Sequence, residues 1–360
     1  MDWPRPRQHV RFCKSRDGTR IAYASCGSGP PLVWVGHFAR HLELDWENPV
    51  WRAWLGLLAR RHTFIRYDLR GCGLSDREVD DFSTERLYED FAAVVSAART
   101  ERFAFFGTAG NVAAGVRYAA EHPERVAHVV LYACHTRGRL VRPRDRADDE
   151  EAETRLKAME LGWAKRNAAF GDFFTALHAP DTAREQFAAL GELLRATTTP
   201  ANASALIRSY WTLDLREVLR RVRCPALVLH ARHDPIVPFE EGRLAAGLLA
   251  DAKLVTLESR NHILQESEPA WRPFKQALEE FLPAVPTAAS AIFEALTARE
   301  REVLEAVAQG FANGDIAQRL RMSPKTVRNH VSAILGKLRV ESRAHAVALA
   351  RDAGLGRPRI

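Results

Sequence analysis

Lys325, Arg328, Asn329 and Ser332 recur at three- and four-residue spacing, so on a helix their cationic, amide and hydroxyl groups share one face. Such groups hydrogen-bond base edges and phosphates; the plainer reading is a solvated polar face on a small helical bundle. Other reactive groups are dispersed. Cys13, Cys26, Cys72, Cys134 and Cys224 are odd in number and form no C-x-x-C pair, so they read as reduced thiols. His37, His41, His230 and His233, with Cys134, raise the question of a metal. No helix-spaced His pair with a carboxylate accompanies them, so neither metal nor cofactor is expected, and they read as scattered, hydrogen-bonded histidines. Phe38, Trp163, Tyr210 and Trp211 are either core or the wall of an apolar pocket.

The elements that position these groups fall into two domains, because 360 residues exceed what one hydrophobic core usually serves. With 46% hydrophobic and 27% charged residues, the chain is neither disordered nor fibrous. It has no apolar run of membrane-spanning length and no secretory h-region near Met1, and is expected to be cytoplasmic. The net charge of +7 is uneven: residues 290–360 hold twelve Lys and Arg against seven Asp and Glu, leaving forty against thirty-eight elsewhere. A polyanion partner would therefore be sought at the C-terminal end. Apolar runs at Thr19–Ser25, Leu32–Val35, Thr63–Tyr67, Phe103–Phe106, His128–Tyr132, Ala226–His230 and Lys253–Leu257 read as strands. Thr84–Arg99, Gly110–Glu121 and Ala270–Phe281 read as helices. This is an α/β pattern with a largely parallel sheet. It pauses at about 136–222, a charged, Ala- and Leu-rich stretch read as an inserted helical cap. The expected bounds are 1–282 for the first domain, 283–293 for a Pro-containing linker and 294–360 for a small all-α domain.

Within 294–360, Thr297-Ala-Arg-Glu300 reads as a capping box opening a helix that ends near Gly310. Asn313 is expected to cap a short second helix through Leu320. After a tight turn at Arg321-Met322, Ser323-Pro324 opens a third. There Val327, Val331, Ile334, Leu335 and Leu338 form an apolar stripe opposite the polar face. A short helix, a tight turn and a longer polar-faced helix make a helix-turn-helix, whose second helix enters the major groove. The segment closely resembles the LuxR-type DNA-binding domain. Leu296-Thr-x-Arg-Glu-x-Glu-Val-Leu, Ile316-Ala, Ser323-x-x-Thr326-Val327, His330, Lys337-Leu338 and Arg343-x-x-Ala346-Val347 follow the family's order, with Asn313-Gly-Asp315 a mild departure. The resemblance implies a double-stranded DNA partner, base-facing Arg328, Asn329 and Ser332, and phosphate contacts from Lys325, Thr326 and Lys337. It also implies a homodimer using the last helix, Ser342–Ala353, where Ala344, Val347, Ala348 and Arg351 share a face.

Residues 8–282 resemble an α/β-hydrolase. Strand Phe103–Phe106 runs into Gly107-Thr-Ala-Gly-Asn111 where that family places its G-x-S-x-G elbow. Asp234 after strand Ala226–His230 matches the acid, and His262 in Leu257-Glu-Ser-Arg-Asn-His262 matches the histidine. Arg70-Gly-Cys-Gly-Leu-Ser75 matches the R-G-x-G-x-S loop, and Gly36-His37-Phe38 follows its strand where the oxyanion loop belongs. The nucleophile position is Ala109 and the second Gly is Asn111. Alanine has no attacking atom, so no catalytic residue is assigned. Asp234 and His262 are a leftover pair, a ligand contact, or a general base acting without a nucleophile. Thr108 and Cys134 are the substitute nucleophiles to consider. The family geometry implies a capped cavity floored by Ala109 and His262, with Phe38, Gly110, Trp163, Tyr210 and Trp211 as further ligand contacts. The expectation is a DNA-binding regulator whose silent hydrolase-like domain binds a small-molecule effector. Alternatives are an active hydrolase-fold enzyme with a DNA-binding tail, and a DNA-binding protein whose hydrolase fold serves only as a dimerisation or protein-interaction surface.

Overall fold

In the computed structural model, which describes residues 6–38, 40–164, 178–182, 184–282, 296–338, 340 and 342–352, the apolar runs form eight strands. These are β1 His9–Lys14, β2 Arg20–Cys26, β3 Pro31–Val35, β4 Thr63–Tyr67, β5 Phe103–Thr108, β6 Val126–Tyr132, β7 Ala226–Ala231 and β8 Ala252–Leu257. They join one sheet in the order β1-β2-β4-β3-β5-β6-β7-β8. β1 and β2 pair antiparallel, as do β2 and β4, and the remaining pairs are parallel. All of β5 is buried, as a strand covered on both faces must be. β1 escaped the sequence pattern because His9, Arg11 and Lys14 interrupt it; charge suits an exposed sheet edge.

Helices α1 Arg52–Ala59, α2 Thr84–Ala97 and α3 Val112–Glu121 pack on this sheet before the cap. α1, only eight residues long, is not among the helices expected from sequence. Its Trp54 ring stacks 6.4 Å from Trp34 and lies 4.5 Å from Phe274, and its indole N–H donates to the Leu264 carbonyl at 2.9 Å. A buried Trp with a satisfied N–H ties its neighbours tightly, here the loop that carries His262.

Between β6 and β7 the described residues form α4 Arg146–Ala164, α5 Arg184–Thr197, α6 Pro200–Trp211 and the single turn α7 Arg216–Leu219. The cap is fastened to the loop after β4, where Thr198 Oγ1 donates to the Gly71 carbonyl at 2.7 Å. Asn202 Nδ2 donates to the same oxygen at 3.1 Å and to the Arg77 carbonyl at 2.9 Å. Gly71 has φ +75°, and a Cβ there would strike Phe82 at 2.8 Å, so only glycine fits this junction. α8 Phe239–Leu248 and α9 Trp271–Phe281 complete the larger unit.

The chain divides into two compact units, residues 1–283 and 284–360. The expected linker at 283–293 lies outside the described residues. The smaller unit holds α10 Ala298–Ala308, α11 Asn313–Arg319, α12 Pro324–Leu338 and α13 Arg343–Asp352 around its own core of Val303, Leu304, Ile316, Val327, Ile334 and Leu338. No described helix is long and apolar enough to cross a membrane.

Candidate functional site

β5 ends at Thr108, and the next residue, Ala109, has φ +52° and opens a 3-10 turn, Ala109–Asn111, that leads into α3. An L-residue in the left-handed region costs roughly 1–2 kcal/mol, so packing must hold it. A Cβ on Gly107 would lie 2.9 Å from the Val112 backbone, and one on Gly110 would lie 2.2 Å from Tyr210 Cγ. The sharp elbow that exposes a nucleophile is thus intact, and the side chain it presents is a methyl group.

Asn111 is more than a departure from a glycine. Its Nδ2 donates to the Gly36 carbonyl at 2.6 Å, and its Oδ1 accepts from the Tyr210 hydroxyl at 2.7 Å. One side chain therefore latches the elbow to the loop after β3 and to cap helix α6. Sequence reading missed this, since the partners lie 75 and 99 residues away.

Asp234 follows β7 and His262 follows β8, so with Ala109 they stand beyond the carboxyl ends of parallel strands, where open α/β sheets place ligands. His262 donates from Nδ1 to Asp234 Oδ2 at 2.8 Å. The other Asp234 oxygen accepts from the N–H groups of Ile236 and Val237 at 2.8 and 2.9 Å. His262 and those donors hold the carboxyl below its usual range, against burial, which alone would raise it. The histidine's tautomer is set by this bond, leaving Nε2 toward the cavity.

That cavity holds about 130 Å³, and Phe38, Ala109, Tyr210, Trp211 and His262 are among its walls. One expectation changes. Gly110 does not line it: the Tyr210 ring lies directly against Gly110, which faces a separate small void. Trp163 lies in α4, but its side chain is outside the described residues. The histidines are not all scattered either. His37, His135, His178 and His262 reach this one cavity from four separate segments, with ring centroids 5.3 Å apart for His37 and His178 and 5.8 Å for His37 and His262. Burial first, then neighbouring positive charge, pushes His37 well below the ordinary imidazole range. The same causes push His135 down to about 3, so both are neutral near pH 7. His41 and His230 are structural, His41 Nδ1 accepting from the Glu43 N–H and His230 Nε2 bonding the Val237 carbonyl. Among the described residues no group of three or more His, Cys, Asp or Glu could hold a metal ion. Sequence reading also missed Arg139, Arg142 and Arg155 on the cavity wall, because the cap's many charges conceal which of them turn inward.

In the smaller unit Thr297 Oγ1 accepts from the Glu300 N–H at 3.2 Å while Glu300 accepts from the Thr297 N–H at 2.7 Å, a complete capping box. Ser323 accepts from the Thr326 N–H at 3.1 Å and opens α12. Arg321, in the turn before it, has φ +53°. Asn313 does not cap α11; it is the helix's first residue, and its Oδ1 accepts from Arg343 at 2.8 Å. Arg343 also donates to the Phe311 carbonyl at 2.6 Å, so α13 clamps the turn, and Asp315 accepts from the Ala312 N–H instead. Lys325, Thr326, Arg328, Asn329 and Ser332 are exposed on α12 opposite buried Val327, Ile334 and Leu338. Lys337 is committed within its own unit, 2.6 Å from Glu300.

Residues 44–269 match the alpha/beta hydrolase fold family. The chain belongs to that family. Residues 294–350 match the bacterial regulatory proteins of the luxR family, and this segment is a LuxR-type DNA-binding domain. The larger unit is similar to a pyrrolizixenacetamide deacetylase of Xenorhabdus hominickii, 21% identical over 253 residues, which are 69% of this chain and 90% of that protein. The smaller is similar to the response regulator protein VraR of Staphylococcus aureus, 46% identical over 59 residues, 16% of this chain and 28% of that protein. Among solved structures, a hydrolase from Pseudomonas aeruginosa PA01 superposes with a TM-score of 0.61 at 27% identity, covering 77% of this chain and 99% of that one.

Within this alpha/beta hydrolase fold neither substitute nucleophile is well placed. Thr108 donates its hydroxyl to the Val35 carbonyl at 3.2 Å. Cys134 is fully buried, and burial pushes its thiol up to about 12, far from the thiolate that attack requires.

Proposed function

We propose that the larger unit is a ligand receptor without acyl-transfer activity, and that its ligand sets the DNA affinity of the LuxR-type domain. The observation that carries this reading is Ala109 at an otherwise intact elbow: a strained turn, a paired His262–Asp234 and a cavity beside them, with no atom to attack a carbonyl. A ligand would act by preferring one arrangement of the chain over another, and could shift DNA binding only by that preference. Fluorophosphonate probes are expected to leave the protein unlabelled. Stoichiometric labelling would refute the receptor reading. Hydrolysis of model esters or amides that vanishes in His262→Ala would establish the second reading, an enzyme using the intact dyad as a general base.

For DNA, Arg328, Asn329 and Ser332 are proposed to face base edges, with Lys325 and Thr326 on phosphates. Arg328→Ala is expected to cost roughly 1–3 kcal/mol and relax specificity at one position. Lys325→Ala should weaken all sequences alike and flatten the salt dependence. The ion pair with Glu300 makes Lys337 a poor probe, since its loss also loosens the cap of α10. Binding assays on randomised sites check this, and equal loss of specificity from Arg328→Ala and Lys325→Ala would place the recognition face elsewhere.

The protein is proposed to bind DNA as a homodimer through α13, since a single recognition helix reads too few base pairs for genomic selectivity. Val347 packs partly against its own core, whereas Ala344 is exposed, so Ala344→Glu is the cleaner test. It should shift sedimentation toward monomer and weaken binding to an inverted repeat at least tenfold. Unchanged sedimentation would move the dimer contact off this helix.

A further inference from the structure

The described walls of the cavity carry Arg139, Arg142 and Arg155 and not one Asp or Glu. Two of these cations are matched. Arg155 donates to Glu151, Arg139 lies 3.8 Å from the same carboxylate, and Arg139 also donates to the Asp148 carbonyl. Arg142 makes no ion pair among the described residues, and its Nη1 is buried without a hydrogen-bond partner. Glu241, whose charge reaches Arg142, is already bound by the Arg137 N–H at 2.7 Å and guanidinium at 2.8 Å. Asp234 sits behind His262 with its oxygens occupied. Further orphans lie on the same wall: Arg139 Nε, despite that residue's ion pair, and Nδ1 of buried His135 have no hydrogen-bond partner. These residues line the cavity, and buried polar groups left unpaired are costly. Phe38, Leu156, Met159, Ile207 and Trp211 supply its apolar wall.

We infer that this cavity takes a small monocarboxylate, its charge held by Arg142 and its apolar body set against Leu156, Met159 and Trp211. This rests on the receptor reading above and gives it a ligand class. One guanidinium without an ion pair beside neutral His37 and His135 suits one negative charge, and Arg receives a carboxylate through two parallel hydrogen bonds. The volume of about 130 Å³ is near that of engineered cavities of about 150 Å³ that accept benzene, which limits the body to a phenyl ring or a short acyl chain.

Calorimetric titration of the full chain with monocarboxylates from butyrate to phenylacetate, each beside its primary amide, tests the assignment. Acids should bind at least tenfold more tightly than their amides. Arg142→Gln should erase that preference while leaving amide affinities within twofold, and Arg142→Lys should keep part of it, which separates lost charge from a damaged fold. Amides that bind as well as acids would overturn the carboxylate assignment and leave the receptor reading standing. An acid preference that survives Arg142→Gln would overturn the role of Arg142. Absence of binding by every acid and amide would overturn this inference, whereas the receptor reading falls only with fluorophosphonate labelling or His262-dependent turnover.

Discussion

Asp45→Ala is expected to destabilise the larger unit by about 3–5 kcal/mol, the cost of leaving buried charge uncompensated. Asp45 is fully buried; its Oδ2 accepts from Arg66 at 2.6 Å and Arg40 at 3.0 Å, and its Oδ1 accepts from the His41 N–H at 3.1 Å. Both arginines are nearly as buried. Arg40 lies over the rings of Trp34 and Trp51 at 4.2 and 4.0 Å, where a cation gains from the aromatic faces. With the carboxylate gone, two buried guanidiniums lose their shared ion-pair partner, and the loop carrying His37 and Phe38 loses its anchor. Because all eight Trp residues lie before position 283, Trp fluorescence during urea unfolding reads this unit alone. A shift under 1 kcal/mol would mean that solvent reaches the pair and that the loop is held by other contacts.

Asn111→Ala is the second large effect, a loss of about 2–4 kcal/mol. The Gly36 carbonyl and the Tyr210 hydroxyl would both lose the partner described above, and each buried group left unsatisfied costs about 1–3 kcal/mol. Asn111→Gly should cost as much, although it restores the residue the elbow motif carries. Tyr210→Phe removes one of the two bonds, so a double-mutant cycle between these positions should show a coupling of about 0.5–3 kcal/mol. Strict additivity would mean that the latch does not join cap to elbow.

Much of the fold was legible along the chain because its causes are local. Seven of the strands announced themselves as apolar runs, β5 most clearly because a strand covered on both faces has no polar alternation to confuse. The cap residues Thr297 and Ser323 were readable for the same reason: their hydrogen bonds close within three residues. Ala109 stood out by its place between a strand and a helix, a distance of a few residues. The polar face of α12 followed from helical periodicity alone.

What the sequence by itself could not determine depends on pairs far apart in the chain. Asn313 sits at a helix start and read as a cap, yet Arg343, thirty residues on, claims its side chain. Lys337 is expected at a phosphate by the family resemblance, yet Glu300 lies beside it. Asn111 looked like drift at the elbow, and its meaning came from Gly36 and Tyr210. His37, His135, His178 and His262 follow β3, follow β6, lie in the cap and follow β8; nothing in their spacing brings them together. Composition and periodicity report what each segment buries, on the scale of a turn or a strand. The sheet order, which interleaves β3 between β4 and β5 and sets β6, β7 and β8 side by side across an inserted cap, decides which loop ends share a cavity. That order is fixed by packing over the whole core, so the cavity's unmatched Arg142 and its ring of histidines became visible only in three dimensions.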